Sequence, residues 1–171
     1  MGPGKLNFPG FHFGVAVGDV VTLAGFGRSG FGNYGYTTAA SFTNRRIGGN
    51  TIESFTMGDG GEAEIFRYTF HHPETAGSLG NDVETIIAPG DSGGPVLVEM
   101  GETYGFVGIS TFTEGFGGLF GDIGGWVVLE PYYDWIHGMT GVAIPEPRAV
   151  VLLAGVWGVV IILIARRSRR M

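Results

Sequence analysis

Short runs of β-branched and aromatic residues, each closed off by Gly, Asn, Asp or Pro, govern what this chain can fold into. They are residues 19–27 (DVVTLAGFG), 63–70 (AEIFRYTF), 94–100 (GPVLVEM), 103–112 (TYGFVGISTF) and 124–130 (GGWVVLE). Side chains branched or ringed near Cβ pack well on a pleated surface and lose rotamer freedom in a helix, while the bounding residues supply turns. These runs are predicted to be strands. Only residues 131–138 (PYYDWIHG) read as a short helix, with Pro at its start and Gly at its end. The 33 glycines among 171 residues show no repeat period, so they suit tight connections rather than collagen or a solenoid. Cysteine is absent, which removes disulfides and thiolate metal sites but does not exclude export. The length allows one domain with a core large enough to fold unaided.

Charge divides the chain in two. Residues 1–147 hold all 16 acidic side chains and only five basic ones, Lys5, Arg28, Arg45, Arg46 and Arg67, a balance of −11. An acidic body argues against nucleic acid as a partner, because binding it requires phosphate neutralisation. The other five basic residues, Arg148, Arg166, Arg167, Arg169 and Arg170, bracket an uncharged run at 149–165. As a helix that run spans roughly 25 Å, near the lower limit for crossing a bilayer. Arginines enter hydrocarbon at high cost, so the tail at 166–171 is expected on the cytoplasmic side with the body outside. A buried core helix is a poor alternative, since the run has no polar face. No basic region followed by an apolar stretch opens the chain, so no secretory signal is legible there.

Residues 88–99 (APGDSGGPVLVE) carry the chemistry. A serine nucleophile must offer its oxygen to a carbonyl carbon while backbone N–H groups face the developing oxyanion. Ser92 is the candidate nucleophile, with the N–H groups of Gly90 and Ser92 as the expected oxyanion pair. Gly90 permits the backbone turn, and Gly93 and Gly94 leave the approach open. Asp91 is expected to turn inward and fix the loop through a charge-assisted hydrogen bond.

This loop resembles that of the trypsin-like, chymotrypsin-fold serine proteases, and the resemblance extends over about 18–138. Residues 21–27 (VTLAGFG) are similar to the strand bearing a Gly-Trp-Gly signature, with Phe26 for tryptophan. Residues 105–112 (GFVGISTF) resemble the strand lining the primary pocket, and 127–136 (VVLEPYYDWI) the last strand and closing helix. Residues 45–55 (RRIGGNTIESF) resemble a segment between them in bacterial members. The resemblance implies an all-β fold, the second antiparallel β-barrel of the chymotrypsin-like architecture with a short closing helix, plus the C-terminal transmembrane helix. It implies a serine endopeptidase acting on peptide or protein substrates without cofactor or metal. Ile86, six residues before the nucleophile, is the implied pocket floor, and Thr111, Phe112 and Thr113 the implied substrate-binding strand. Without an acid at Ile86, a small or apolar residue is expected before the cut. In this family the base and its carboxylate precede the serine and belong to the first barrel and the inter-barrel region. His12 is too near the matched strand to be that base, and His71, His72 and His137 lie on the wrong side of it. Residues 1–17 are therefore expected to be a poorly ordered remnant of the inter-barrel region, with an N-terminal barrel as missing partner and the chain inactive alone.

The order Pro145, Glu146, Pro147, apolar helix, arginine cluster resembles the PEP-CTERM sorting signal of Gram-negative bacteria. It implies processing by an exosortase-like enzyme and transfer to the cell surface or matrix, with 139–148 as the linker. The two prolines fix an extended segment that such an enzyme can grip. A plain linker before a tail anchor is the alternative.

Two further function classes remain open from the residues: a non-catalytic surface or matrix-binding module that kept the loop, and an unrelated β-sheet surface protein. Weaker motifs point elsewhere. Residues 25–30 (GFGRSG) have dinucleotide-loop spacing, but turn and strand material follows instead of a helix. Residues 71–74 (HHPE) place adjacent histidines on opposite faces, which suits a surface or loop role better than a metal. Asp59, Glu62 and Glu64 match no calcium-loop spacing.

Overall fold

The computed structural model describes residues 14–115 and 117–141. Pro145, Glu146, Pro147, the apolar run 149–165, the basic tail and most of segment 1–17 lie outside the described residues. Among the described residues no helix is long and apolar enough to cross a membrane.

The fold is mostly antiparallel β: β1 (Val20–Gly25), β2 (Ser29–Phe31), β3 (Gly35–Thr38), β4 (Arg46–Thr51), β5 (Ser54–Met57), β6 (Ala63–Thr69), β7 (Pro95–Met100), β8 (Thr103–Glu114) and β9 (Ile123–Val128). A 3₁₀ turn over Glu130–Tyr132 leads into α1 (Tyr133–Thr140). The five runs read as strands form β1, β6, β7, β8 and β9. The helix extends beyond the expected stop at Gly138 and ends at Gly141, whose left-handed backbone (φ 65°) turns its N–H back to the His137 carbonyl.

Seven strands join in the order β4-β1-β7-β8-β9-β6-β5, with β2 and β3 as a separate hairpin. The two outer strands, β4 and β5, are consecutive in the chain. Laid flat, they would be about 29 Å apart, yet the two residues between them span roughly 11 Å at most. The sheet must roll up. Ile52 and Glu53 form the corner: Ile52 exchanges hydrogen bonds with Gly18 and Asp19 before β1, and Glu53 N–H donates to the Arg67 carbonyl of β6. No strand ladder joins β4 to β5, so the roll is not a closed barrel.

Inside the roll lie Val21, Leu23, Ile52, Phe66, Tyr68, Val96, Val107, Trp126 and Val128. Their period of two along each strand puts alternate side chains inward, and the rings of Phe66 and Tyr68 tilt against Trp126 at 5.3 and 5.1 Å. Buried Asn50 on β4 donates to the carbonyls of Thr69 and Thr85, tying three segments across the seam. The Gly48-Gly49 pair of β4 lets residues 83–85 lie against it. A Cβ on Gly48 would fall 2.7 Å from the Thr85 side chain, while Gly49 bonds Val83 and Thr85 through its backbone.

Candidate active site around Ser92

The loop that carries Ser92 runs from buried Ala88 to Gly94, just ahead of β7. Gly90 and Gly93 have φ of 100° and 84°, conformations open to glycine and strained for other residues. The Asp91 carboxylate turns inward: one oxygen accepts the Gly27 N–H at 2.6 Å and the other the Ala88 N–H at 3.0 Å. Gly25 and Gly27 make this possible, because a Cβ on either would overlap the Asp91 side chain. The Arg28 N–H donates to the Pro89 carbonyl, and an Arg46 guanidinium nitrogen to the Gly27 carbonyl.

Backbone donors in the loop are divided. The N–H groups of Asp91, Gly93 and Gly94 donate to the carbonyls of Ala88, Ser110 and Asp91. Among the described residues, those of Gly90 and Ser92 have no acceptor. Ser92 itself is exposed and lines an open groove of about 850 Å³ floored by the outward side chains of Thr22, Ala24, Leu97, Tyr104 and Phe106.

The implied pocket residues sit elsewhere. Ile86 is buried in the wall of a neighbouring cavity of about 90 Å³, lined also by Tyr36, Arg28 and Arg46 and sharing Asp91 with the groove. Thr111, Phe112 and Thr113 lie on β8, where the register slips past Thr111 before Phe112 pairs with Gly125 and Thr113 with Gly124. The Arg67 guanidinium lies 5.1 Å from the centre of the Phe112 ring. None of these residues lines the Ser92 groove. Thr111 follows Ser110, whose carbonyl accepts the N–H of Gly93 in the groove wall, and since β7 pairing ends at Ile109, the other edge of residues 111–114 carries no partner strand among the described residues.

No described histidine bonds Ser92. His71 faces Glu53 and Glu84, the His72 ring meets Phe120 edge-on, and His137 stacks on Tyr133. His12 lies outside the described residues. Among the described residues no group of three His, Cys, Asp or Glu is placed to hold a metal.

Tyr36 is a supporting residue that sequence reasoning did not single out. Its hydroxyl donates to the Ile87 carbonyl at 2.9 Å, and its N–H bonds Gly117. It thereby clasps the β2–β3 hairpin to the segment feeding the loop. Only the glycine at 118, where a Cβ would strike the Tyr36 ring, hinted at it. Burial first, then the carboxylates of Asp122 and Asp91, push the Tyr36 hydroxyl up to about 12 against the opposing pull of Arg28. Burial also raises the hydroxyl of Tyr68, which accepts the Ile87 N–H. An unfolded tyrosine ionises near 10. Below that pH the stabilisation is complete; as pH rises toward 12 the unfolded chain releases protons that the folded chain retains, and it is lost. Urea unfolding midpoints should therefore fall between about pH 9.5 and 11.5, and less steeply in Tyr36→Phe.

No family model matches this chain, and no curated protein matches it.

Proposed function

We propose that this chain is the nucleophile-bearing half of a trypsin-like serine endopeptidase whose histidine base and aspartate come from a second folded unit. The observation that carries the reading is the loop itself: an exposed serine whose own N–H and that of Gly90 have no acceptor among the described residues, beside an aspartate held inward by two backbone donors. The rolled sheet supports it too. β4 and β5, one run of chain bent at Ile52 and Glu53, are read as a strand shared around the second barrel of the chymotrypsin-like fold, with α1 as the closing helix.

In the assembled enzyme Ser92 Oγ attacks the scissile carbonyl carbon as its proton passes to the imidazole of the partner unit. The carbonyl oxygen gains negative charge facing the N–H groups of Gly90 and Ser92. The imidazolium then protonates the leaving amine, and water repeats the sequence to release the acyl group. The groove over β1, β7 and β8 is the docking face for that unit, and the free edge of β8 accepts the substrate backbone as an added strand. In this reading the run 149–165 holds the body outside the cytoplasm, with Pro145, Glu146 and Pro147 as the processing site.

The test is a serine-directed fluorophosphonate applied to native cells that make this chain, followed by mass spectrometry of tryptic peptides. Probe on the peptide containing Ser92 is expected. An unmodified Ser92 peptide, beside labelled serine hydrolases in the same sample, would sink the reading.

A further inference from the structure

His71, two residues beyond β6, is held at both ring nitrogens. Nδ1 lies 3.1 Å from Glu84 Oε1 and Nε2 lies 2.9 Å from Glu53 Oε1. The two carboxylates differ. Glu84 is 2% exposed and also accepts the N–H groups of His71 and Leu79 and the Ser78 hydroxyl. Glu53 is 36% exposed and, among the described residues, otherwise accepts only the Thr69 hydroxyl. One carboxylate is fixed and the other is free to move into water.

A neutral imidazole has one N–H and one lone pair; only the imidazolium donates at both nitrogens. Loss of the proton leaves Nδ1–H with the better-held Glu84 and turns the Nε2 lone pair toward the Glu53 carboxylate. Attraction there becomes repulsion. Glu53 and Glu84 are the charged groups within ion-pair distance of His71 among the described residues, and the neighbouring His72 is turned onto Phe120.

Both carboxylates sit at structurally costly places. Glu53 is half of the corner that carries the chain from β4 to β5 across the unladdered seam. Glu84 ends the excursion of residues 71–84 and is followed by Thr85, which bonds Gly49, and then by the segment leading to Ser92. We propose that Glu53, His71 and Glu84 form a pH-sensitive latch. Charged, it fastens the 71–84 excursion to the β4–β5 corner; deprotonated, it lets go of the corner and slackens the approach to the nucleophile loop. This holds whether or not the serine is catalytic.

Hydrogen exchange of the full chain in detergent micelles tests it. From about pH 6 to about pH 9, amides of residues 71–85 and of Gly49 should lose protection by about tenfold beyond the intrinsic pH dependence, while the β7 and β8 amides do not. Glu53→Gln, which can donate to the lone pair, should keep the latch closed at the higher pH. His71→Gln should abolish the response. A flat wild-type profile overturns the proposal, as does Glu53→Gln opening like the wild type. Should a variant fail to fold, the wild-type profile alone decides.

Discussion

Peptide hydrolysis by the isolated chain is expected to stay at or below the residual assistance of oxyanion donors, on the order of 10³–10⁴ over water, and Ser92→Ala should leave it unchanged. A serine hydroxyl is a weak nucleophile until a base accepts its proton. The described histidines have other partners: His71 two glutamates, His72 a phenyl ring, His137 a tyrosine. Supplying the base from a second unit should raise the rate by about 10⁶, and Ser92→Ala should then remove nearly all of it. Initial rates on a quenched fluorescent peptide, with and without that unit, measure both effects. Stoichiometric fluorophosphonate labelling of Ser92 in the isolated chain would mean that the base already lies within it.

Asp91→Ala should destabilise the folded chain by about 3–5 kcal/mol, the largest single-residue effect on stability expected around the loop. The substitution strands the N–H groups of Gly27 and Ala88, both on buried residues, at a cost of about 1–3 kcal/mol each, and leaves a void against Gly25 and Gly27. Asp91→Asn should cost about half as much, because its amide can serve one donor as an acceptor while its NH₂ opposes the other. Gly27→Ala approaches the same damage from the other side, as its methyl and the carboxylate cannot share the space. Urea unfolding measures all three. A loss under about 0.5 kcal/mol for Asp91→Ala would mean that solvent satisfies those donors and that the aspartate does not hold the loop.

Much of the fold was legible because its central strands bury one face. Val21 and Leu23 on β1, and Phe66 and Tyr68 on β6, alternate with less buried neighbours, and that alternation is written in the residue types. β4 was not legible as a strand. Its Gly48 and Gly49 lack the branched or ringed side chains that mark one, and their role is to admit residues 83–85, a contact set by sequence positions far away. The turn of the Ser92 loop was legible because few residue types can take the backbone shapes of Gly90 and Gly93. Its scaffold was only partly so: the inward turn of Asp91 follows from the loop, but its donor Gly27 lies 64 positions earlier. Ile86 illustrates the limit. Counting back from Ser92 marks it as a pocket floor, yet the backbone carries it into a cavity that Ser92 does not line.

The separation between Gly27 and Asp91 has a kinetic consequence. β1 must find β7 across most of the domain before the aspartate meets its donor, and such distant pairings close late because a long loop must first be ordered. The intervening β2–β3 and β5–β6 hairpins pair locally and can form first. A partly folded chain would therefore hold hairpins and an unformed serine loop. The Ser92 loop takes shape only with the last closure, so an intermediate trapped before it would present strand edges to its neighbours and an unordered segment around Ser92.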